Sequence, residues 1–505
     1  MTFLETAPWM IWTVLLPLCA GICTFLFQRA APWLGVAAAL GNALAVAALA
    51  AQVLRGGSLR YPVGGWGVPL GIDLRADGLS TLMLAMSAVI GVAVSVYASR
   101  YFSDEDAEDD LEAQRHKRAY FWPLWMFLLA GLNGLFLSAD IFHLYVTLEL
   151  LGFSAVSLAA LAGQRAALVA AMRYLLVSLL GSLCFLFGVA LLYAAYATVD
   201  VTTLAGLAKA GPITWTALGL MTGGLLMKSA VFPLHFWLPP AHANAPAPVS
   251  ALLSALVVKA SFYILLRLWF ELFHGVVTLP AANFLGLLGA AAILWGSFQA
   301  LRVRRLKLLV AYSTVAQLGY LCLLFPLAQN AGVAFTAWSG CIYFMLAHAC
   351  AKAAMFLAAG NMAHAAGHDR IAGLDGITQA LPLSVTAFML AGISLIGLPP
   401  SGGFIAKWML LKAAIASGQW GWALLMLAGS LLAAGYVMRV LRHAFTQVDK
   451  ALPLHRVPRT MEWTAAGLAV LAVLLGLMAA RPLALLRIGA PVADAAVAAV
   501  EGGPR

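Results

Sequence analysis

The sequence predicts an all-α polytopic membrane protein of about fourteen transmembrane helices. Two inverted five-helix repeats are expected inside it, with predicted helices 7 and 12 broken. Three observations carry that prediction. Of 505 residues, 63% are hydrophobic and only 10% charged, against about 25% charged in soluble domains. Apolar runs of bilayer length recur along the chain, and short loops between them hold most of the basic residues. Two of those runs are interrupted by proline near a lysine, Pro233 near Lys228 and Pro399–Pro400 near Lys407.

Taken in order, predicted helix 1 spans 8–27. Glu5 and the lack of a basic leader argue against a cleaved signal peptide, so a retained helix is expected. Helix 2 spans 32–53, and a polar Gly/Pro loop covers 55–78. Helix 3 spans 79–100, and the mixed charge run SDEDAEDDLEAQRHKR over 103–118 reads as a solvated loop. Helices 4, 5 and 6 span 119–138, 140–162 and 168–196, with Asp140 as an N-terminal anchor of helix 5. Helix 7 spans 213–238 and is broken at Pro233, which removes a backbone donor and a helix hydrogen bond. Helices 8 to 11 span 247–272, 281–301, 307–327 and 333–360. Helix 12 spans 381–415 and is broken at Pro399 and Pro400. Helices 13 and 14 span 420–444 and 462–480.

This divides the chain into an N-terminal three-helix segment with its loop (1–118), two five-helix units (119–272 and 281–445), and a C-terminal helix with tail (446–505). The division rests on internal likeness. TLELLGF over 147–153 in helix 5 aligns with TVAQLGY over 314–320 in helix 10, a shift of 167 residues. The same shift brings the helix 7 region close to helix 12, where Lys407 lies beside its own proline break. An odd number of spans per unit puts the two units in opposite orientations.

The net charge of +10 does not indicate nucleic acid, because the basic residues sit in loops as orientation signals do. Loops after odd-numbered helices hold Arg29, Arg115, Lys117, Arg118, Arg165, Arg302, Arg304, Arg305, Lys307, Arg370, Arg442, Lys450, Arg456 and Arg459. Loops between helices after even-numbered ones hold far fewer, Arg55, Arg60, Arg75 and Lys209. The expected setting is a cell inner membrane with both termini on the periplasmic side. All six cysteines fall in apolar segments without a metal-ligand pattern, so no metal site is expected.

The chemistry lies in ionisable residues at membrane depth. A charged side chain there costs about 2.5–3.5 kcal/mol on insertion scales, and a helix break survives only inside protein or beside water. Glu149 lies midway along helix 5, and Lys228 about fifteen residues into helix 7. Burial favours the neutral amine, while a nearby carboxylate favours the ammonium. A lysine whose carboxylate partner moves is therefore a switchable proton carrier. Lys259 in helix 8, Lys352 in helix 11 and Lys407 in helix 12 are also deep, and His348 stands one turn before Lys352. Tyr312, Ser313, Thr314 and Gln317 in helix 10 are suited to holding bridging water. His235 and His242, in the Pro-rich stretch from the helix 7 break to helix 8, mark a candidate aqueous opening. There is no GxxxxGK[ST] loop, no dinucleotide fingerprint, no cysteine cluster for iron–sulfur and no haem-spaced histidine pair. No cofactor is expected, and no redox or hydrolytic site of the chain's own.

Residues 75–445 resemble the antiporter-like membrane subunits shared by respiratory complex I, Mrp-type cation/proton antiporters and membrane-bound hydrogenases. The resemblance is carried by ADGLS (76–80), LYVTLELLGFSA (144–155), MKSAVFPLHFWLPPAHANAPAPVSALLSALVVK (227–259), LAHACAKAAMFLAAG (346–360) and GISLIGLPPSGGFIAKW (392–408). The last stretch looks most like the D-type Mrp subunits or their hydrogenase relatives. The resemblance implies that Glu149 and Lys228 form a coupled pair, that Lys259 and Lys407 continue the route, and that His348 or Lys352 supplies the helix 11 relay. It implies a proton-translocating subunit working with other membrane subunits, moving protons and, in an antiporter, Na+ or K+. Such a complex is an antiporter, a hydrogenase or an NADH:quinone oxidoreductase-like pump. An energy-coupling subunit of an inorganic-carbon uptake complex is the alternative.

Overall fold

The computed structural model describes residues 8–68, 71–103, 111–448 and 455–492. Glu5, the acidic run over 104–110, Lys450 and the tail from 493 lie outside the described residues.

Helices α1 (Trp9–Leu26) and α2 (Ala31–Gly56) form an N-terminal hairpin. An antiparallel pair follows, β1 (Leu59–Pro62) with β2 (Asp73–Ala76), Leu59 opposite Ala76. It lies in the stretch predicted as a loop, because two four-residue strands are too short to show a period of two. Helix α3 (Gly78–Tyr101) starts at Asp77, whose carboxylate accepts the backbone N–H of Ser80 at 3.0 Å. Helix α4 (Leu111–Leu137) begins eight residues earlier than predicted, so 111–118 is helix and not loop. Its first turns are LEAQRHKR, good helix formers that carry the helix out past the apolar run. Helix α5 (Ile141–Ala160) is capped by Asp140, which accepts from His143 N–H at 2.6 Å. Helix α6 is Arg165–Tyr196.

The seventh apolar run is two pieces, α7a (Pro212–Lys228) and α7b (Leu238–Asn244). The regular helix stops at Lys228, before Pro233, so the break is wider than a kink at the proline. Proline also pushes its predecessor out of helical backbone, and Ala230 already has φ of +52°. Helices α8 (Ala247–Leu272), α9 (Leu279–Arg302), α10 (Leu306–Cys322) and α11 (Ala331–Ala366) follow. The twelfth run is again two pieces, α12a (Pro382–Ile396) and α12b (Gly402–Ala416). Gly397 leaves α12a at φ of +87°, a backbone position suited to glycine. Ser401 restarts the chain as the N-cap of α12b, accepting from Phe404 N–H at 3.2 Å. Helices α13 (Trp420–Phe445) and α14 (Arg459–Leu474) follow, α14 being shorter than the predicted 462–480, and a short helix Ala480–Leu485 comes after them.

Among the described residues, eleven helices are long and apolar enough to cross a membrane. The seventh, twelfth and fourteenth predicted runs are not among them, because their regular pieces reach only 15 to 17 residues. The apolar windows of α8 and α11 are 100% buried and that of α10 89%, against 28% for α1 and 39% for α13. So three central helices are wrapped by the others. On α13, Leu424 and Leu431 remain 66% and 76% exposed, as a lipid-facing side requires. Charged side chains on α8 and α11 therefore have protein, not lipid, around them.

The end of the bundle that carries β1 and β2 is tied by ion pairs. The Arg267 guanidinium on α8 forks onto Asp77 with two bonds of 2.7 Å. Arg75 reaches Asp77 at 3.0 Å and Glu271 at 2.8 Å, and Arg267 also pairs with Glu271. The aspartate of ADGLS thus caps one helix and anchors it to another.

Candidate functional site

Glu149 and Lys228 meet inside the membrane-depth part of the bundle. Lys228 Nζ donates to Glu149 Oε1 at 3.1 Å, and the Ser182 hydroxyl of α6 donates to the same oxygen. Their side chains are 5% and 18% exposed for lysine and glutamate. Backbone proximity makes this meeting possible. A Cβ on Gly224 would stand 2.3 Å from the Gly181 carbonyl, so α6 and α7a touch there without side chains between them. One turn beyond Glu149, a Cβ on Gly152 would lie 3.0 Å from Ser178 Oγ. The ammonium ends where α7a ends, at the edge of the break.

Lys259 follows a π-helical turn of α8, Leu253–Val257, a feature often found at functional sites. It is fully buried, and its Nζ donates to the Ser254 carbonyl at 2.5 Å. The Ser254 hydroxyl pairs with Thr314 Oγ1 of α10 at 2.8 Å, and Thr314 donates to the Val310 carbonyl at 3.1 Å. That carbonyl also accepts from Lys352 Nζ at 2.9 Å, and Lys352 donates to the Ser313 hydroxyl as well. Lys259 and Lys352 therefore approach one α10 segment from two helices.

His348 is stacked on Phe344, with centroids 5.7 Å apart and rings 9° from parallel. Both its ring nitrogens are buried without a hydrogen-bond partner among the described residues. It lies within electrostatic reach of Lys259, Lys352 and Lys407. Lys407 turns back from α12b to the end of α12a. Its Nζ donates to the carbonyls of Leu395 at 2.8 Å and Ile396 at 3.2 Å, and to Ser430 Oγ at 3.2 Å. Those carbonyls stand at a helix end, where intrahelical donors run out. The amine also sits 4.3 Å from the Tyr320 ring centroid, and Tyr320 stacks on Phe344 at 5.5 Å. An aromatic series thus joins Lys407 to His348.

His235 is 8% exposed and stacks on Phe232, while His242 is fully buried 5.7 Å from the Phe356 ring. Pro233 lies in the first break, and Pro399 and Pro400 in the second. A polar cavity of about 270 Å³ reaches Asn244 and Pro246, with Arg100, Lys117 and His364 in its wall. Arg305 and Lys307 hold the carbonyl end of α7b beside it, Arg305 on Ala243 at 3.3 Å and Lys307 on Ala245.

The structure thus forms two contact groups. One is Glu149, Lys228 and Ser182. The other is Lys259, Lys352, His348 and Lys407, connected through α10. Among the described residues no hydrogen bond links Lys228 to Lys259. Sequence reasoning missed Ser182, Ser254, Ser430, Tyr320 and Phe344, which carry no charge and look ordinary in apolar helices. It also left Arg267 and Glu271 unremarked, although their spacing of four on a helix is a readable pairing signal.

The family described as NADH:quinone oxidoreductase/Mrp antiporter, transmembrane, matches residues 138–433. NADH-quinone oxidoreductase subunit N of Desulforudis audaxviator is 35% identical, over 89% of this chain and 88% of the relative. The D subunit of the Na(+)/H(+) antiporter of Bacillus subtilis is 30% identical, over 82% of each chain. A chain in the structure of the membrane-bound sulfane sulfur reductase, an archaeal respiratory membrane complex, superposes with a TM-score of 0.86. It is 26% identical and is covered over 97% of its length by 96% of this one.

Proposed function

This chain belongs to the NADH:quinone oxidoreductase/Mrp antiporter family of transmembrane proteins, and on that premise we propose that it carries protons inside a multi-subunit ion-translocating complex. One observation carries the reading: the Glu149–Lys228 ion pair at 3.1 Å, held at a helix break inside the bundle. A paired carboxylate holds the ammonium charged, and a carboxylate that withdraws lets the lysine release its proton. The proton then passes to Lys259, and through the α10 hydroxyls, Lys352 and His348 to Lys407. His348, with two unpartnered ring nitrogens among the described residues, is suited to relay through bridging water. The polar cavity at Asn244 and Pro246 is the water access, with His242 two residues before Asn244 on α7b and His235 in the break before it.

Fourteen crossings fit this reading: the eleven long helices, the two broken runs and α14. The inverted repeat is supported by position. The shift of 167 residues carries Pro233 onto Pro400, and Lys228 onto Leu395, whose carbonyl accepts from Lys407. Each break thus has an amine at the end of its first piece. Units 119–272 and 281–445 are then the two halves, with 1–118 and 446–505 flanking them. The loop charges put both termini on the outer side of an inner membrane. Partner subunits supply either redox energy or the countertransported cation.

The test is proton uptake in proteoliposomes containing the purified parent complex. Lys228→Ala and Glu149→Ala each abolish coupled proton movement while the complex still assembles. Normal coupling in either variant removes the proposal.

A further inference from the structure

The half of α8 beyond Lys259 carries a polar column that the proposed route does not use. Lys259, Tyr263, Arg267 and Glu271 recur every four residues and so share one side of the helix. Arg267 stands eight residues beyond Lys259, roughly 12 Å along the axis, toward the end that carries β1 and β2. Lys259 is fully buried, Tyr263 is 1% exposed and Arg267 6%. Hydrogen bonds do not run through this column. Arg267 Nε donates to the Tyr263 hydroxyl at 3.0 Å, and that hydroxyl donates sideways to the Phe136 carbonyl at 2.7 Å. The other guanidinium nitrogens bond Asp77 and Glu271. Lys259 turns the opposite way, onto the Ser254 carbonyl. A nook of about 10 Å³ touches Arg75, Arg267 and Glu271, room for about one water.

We propose that Arg267 seals the proton route at this end, stopping protons held at Lys259 from escaping along α8. That role rests on the proton-carrying reading of Lys259. Residue type favours a seal over a simple anchor. Lys228, Lys259, Lys352 and Lys407 are all lysines, whose amines can gain and lose protons. The cation of the column is an arginine, which stays charged and has no lone pair to accept a proton. A proton that reaches the Tyr263 hydroxyl therefore finds no acceptor in its guanidinium neighbour. Two carboxylates near it could accept one, Asp77 and Glu271, and each is bound by both Arg267 and Arg75. A lysine at 267 would repeat the lysine–carboxylate chemistry of Lys228 and Glu149, and would pass protons on.

Passive proton leak tests it. The purified parent complex in proteoliposomes receives a pH step in buffer free of Na+, K+ and redox substrates, with thiocyanate to collapse the membrane potential. A trapped dye reads internal pH. The wild type is tight. Arg267→Gln and Arg267→Lys each raise the leak by roughly 10- to 100-fold, the worth of one charge-assisted hydrogen bond in a barrier. Adding Lys259→Leu to either variant closes the leak again. An anchor behaves differently, because lysine keeps the charge and the pairing with Asp77. A tight Arg267→Lys therefore overturns the proposal, and so does a leak that survives Lys259→Leu. If Arg267→Gln does not assemble, Arg267→Lys decides alone. The two failures are separable. The proton-carrying reading fails on normal coupled flux in Lys228→Ala, whereas the seal fails on a tight Arg267→Lys whose coupled flux is normal.

Discussion

Glu149 and Lys228 illustrate how two costly residues become tolerable together. Either alone at membrane depth invites neutralisation, but paired they keep charge in the bundle. Ser182 adds a hydrogen bond to the carboxylate, worth about 1.5–3 kcal/mol when one partner is charged. Ser182→Ala is therefore expected to lower proton flux, by less than Glu149→Ala, with assembly intact; side-by-side flux measurements in proteoliposomes check the ranking. The ionisable residues were legible in the sequence because charge inside an apolar run stands out. Their uncharged partners were not, since Ser182, Ser254 and Ser430 resemble any small helical residue. Tyr320 acts on Lys407 through its ring face, and nothing in a linear sequence shows which ring a lysine will meet.

At the scale of elements, close helix contact and helix breaks position these groups. Gly223 and Gly224 are neighbours with opposite duties. Gly224 presses on the Gly181 backbone, while Gly223 faces open space. Gly224→Leu is expected to cost about 1–3 kcal/mol by overpacking and to lower the melting temperature of the purified protein. Gly223→Leu leaves that temperature near the wild type. A thermal melt of both variants separates the two faces of α7a. The prolines announced both breaks, but not their extent. The chain leaves α7a at Lys228, so the lysine ends a helix where the sequence placed it within one. The π turn beside Lys259 had no sequence signal, because LSALV reads as ordinary helix.

For the whole molecule, hydrophobic pattern and loop charge outlined most of the bundle. They did so because bilayer thickness dictates helix length. What they could not supply was order across the bundle, and with it the joining of Lys259, Lys352 and Lys407 through α10. Orientation is directly testable in a background with the exposed Cys19 and Cys23 replaced. S58C, in the loop after α2, is expected to react with an impermeant maleimide added outside intact cells. Q164C, after α5, should react only in inverted vesicles. Reversed labelling would invert the topology.

The proposed proton route runs through both halves, with Lys259 as its junction. Proton flux through the purified complex carrying Lys259→Ala, measured in proteoliposomes beside the wild type, tests it most directly. Flux is expected to collapse while subunit composition and melting temperature hold. Wild-type flux from an assembled Lys259→Ala complex would contradict it.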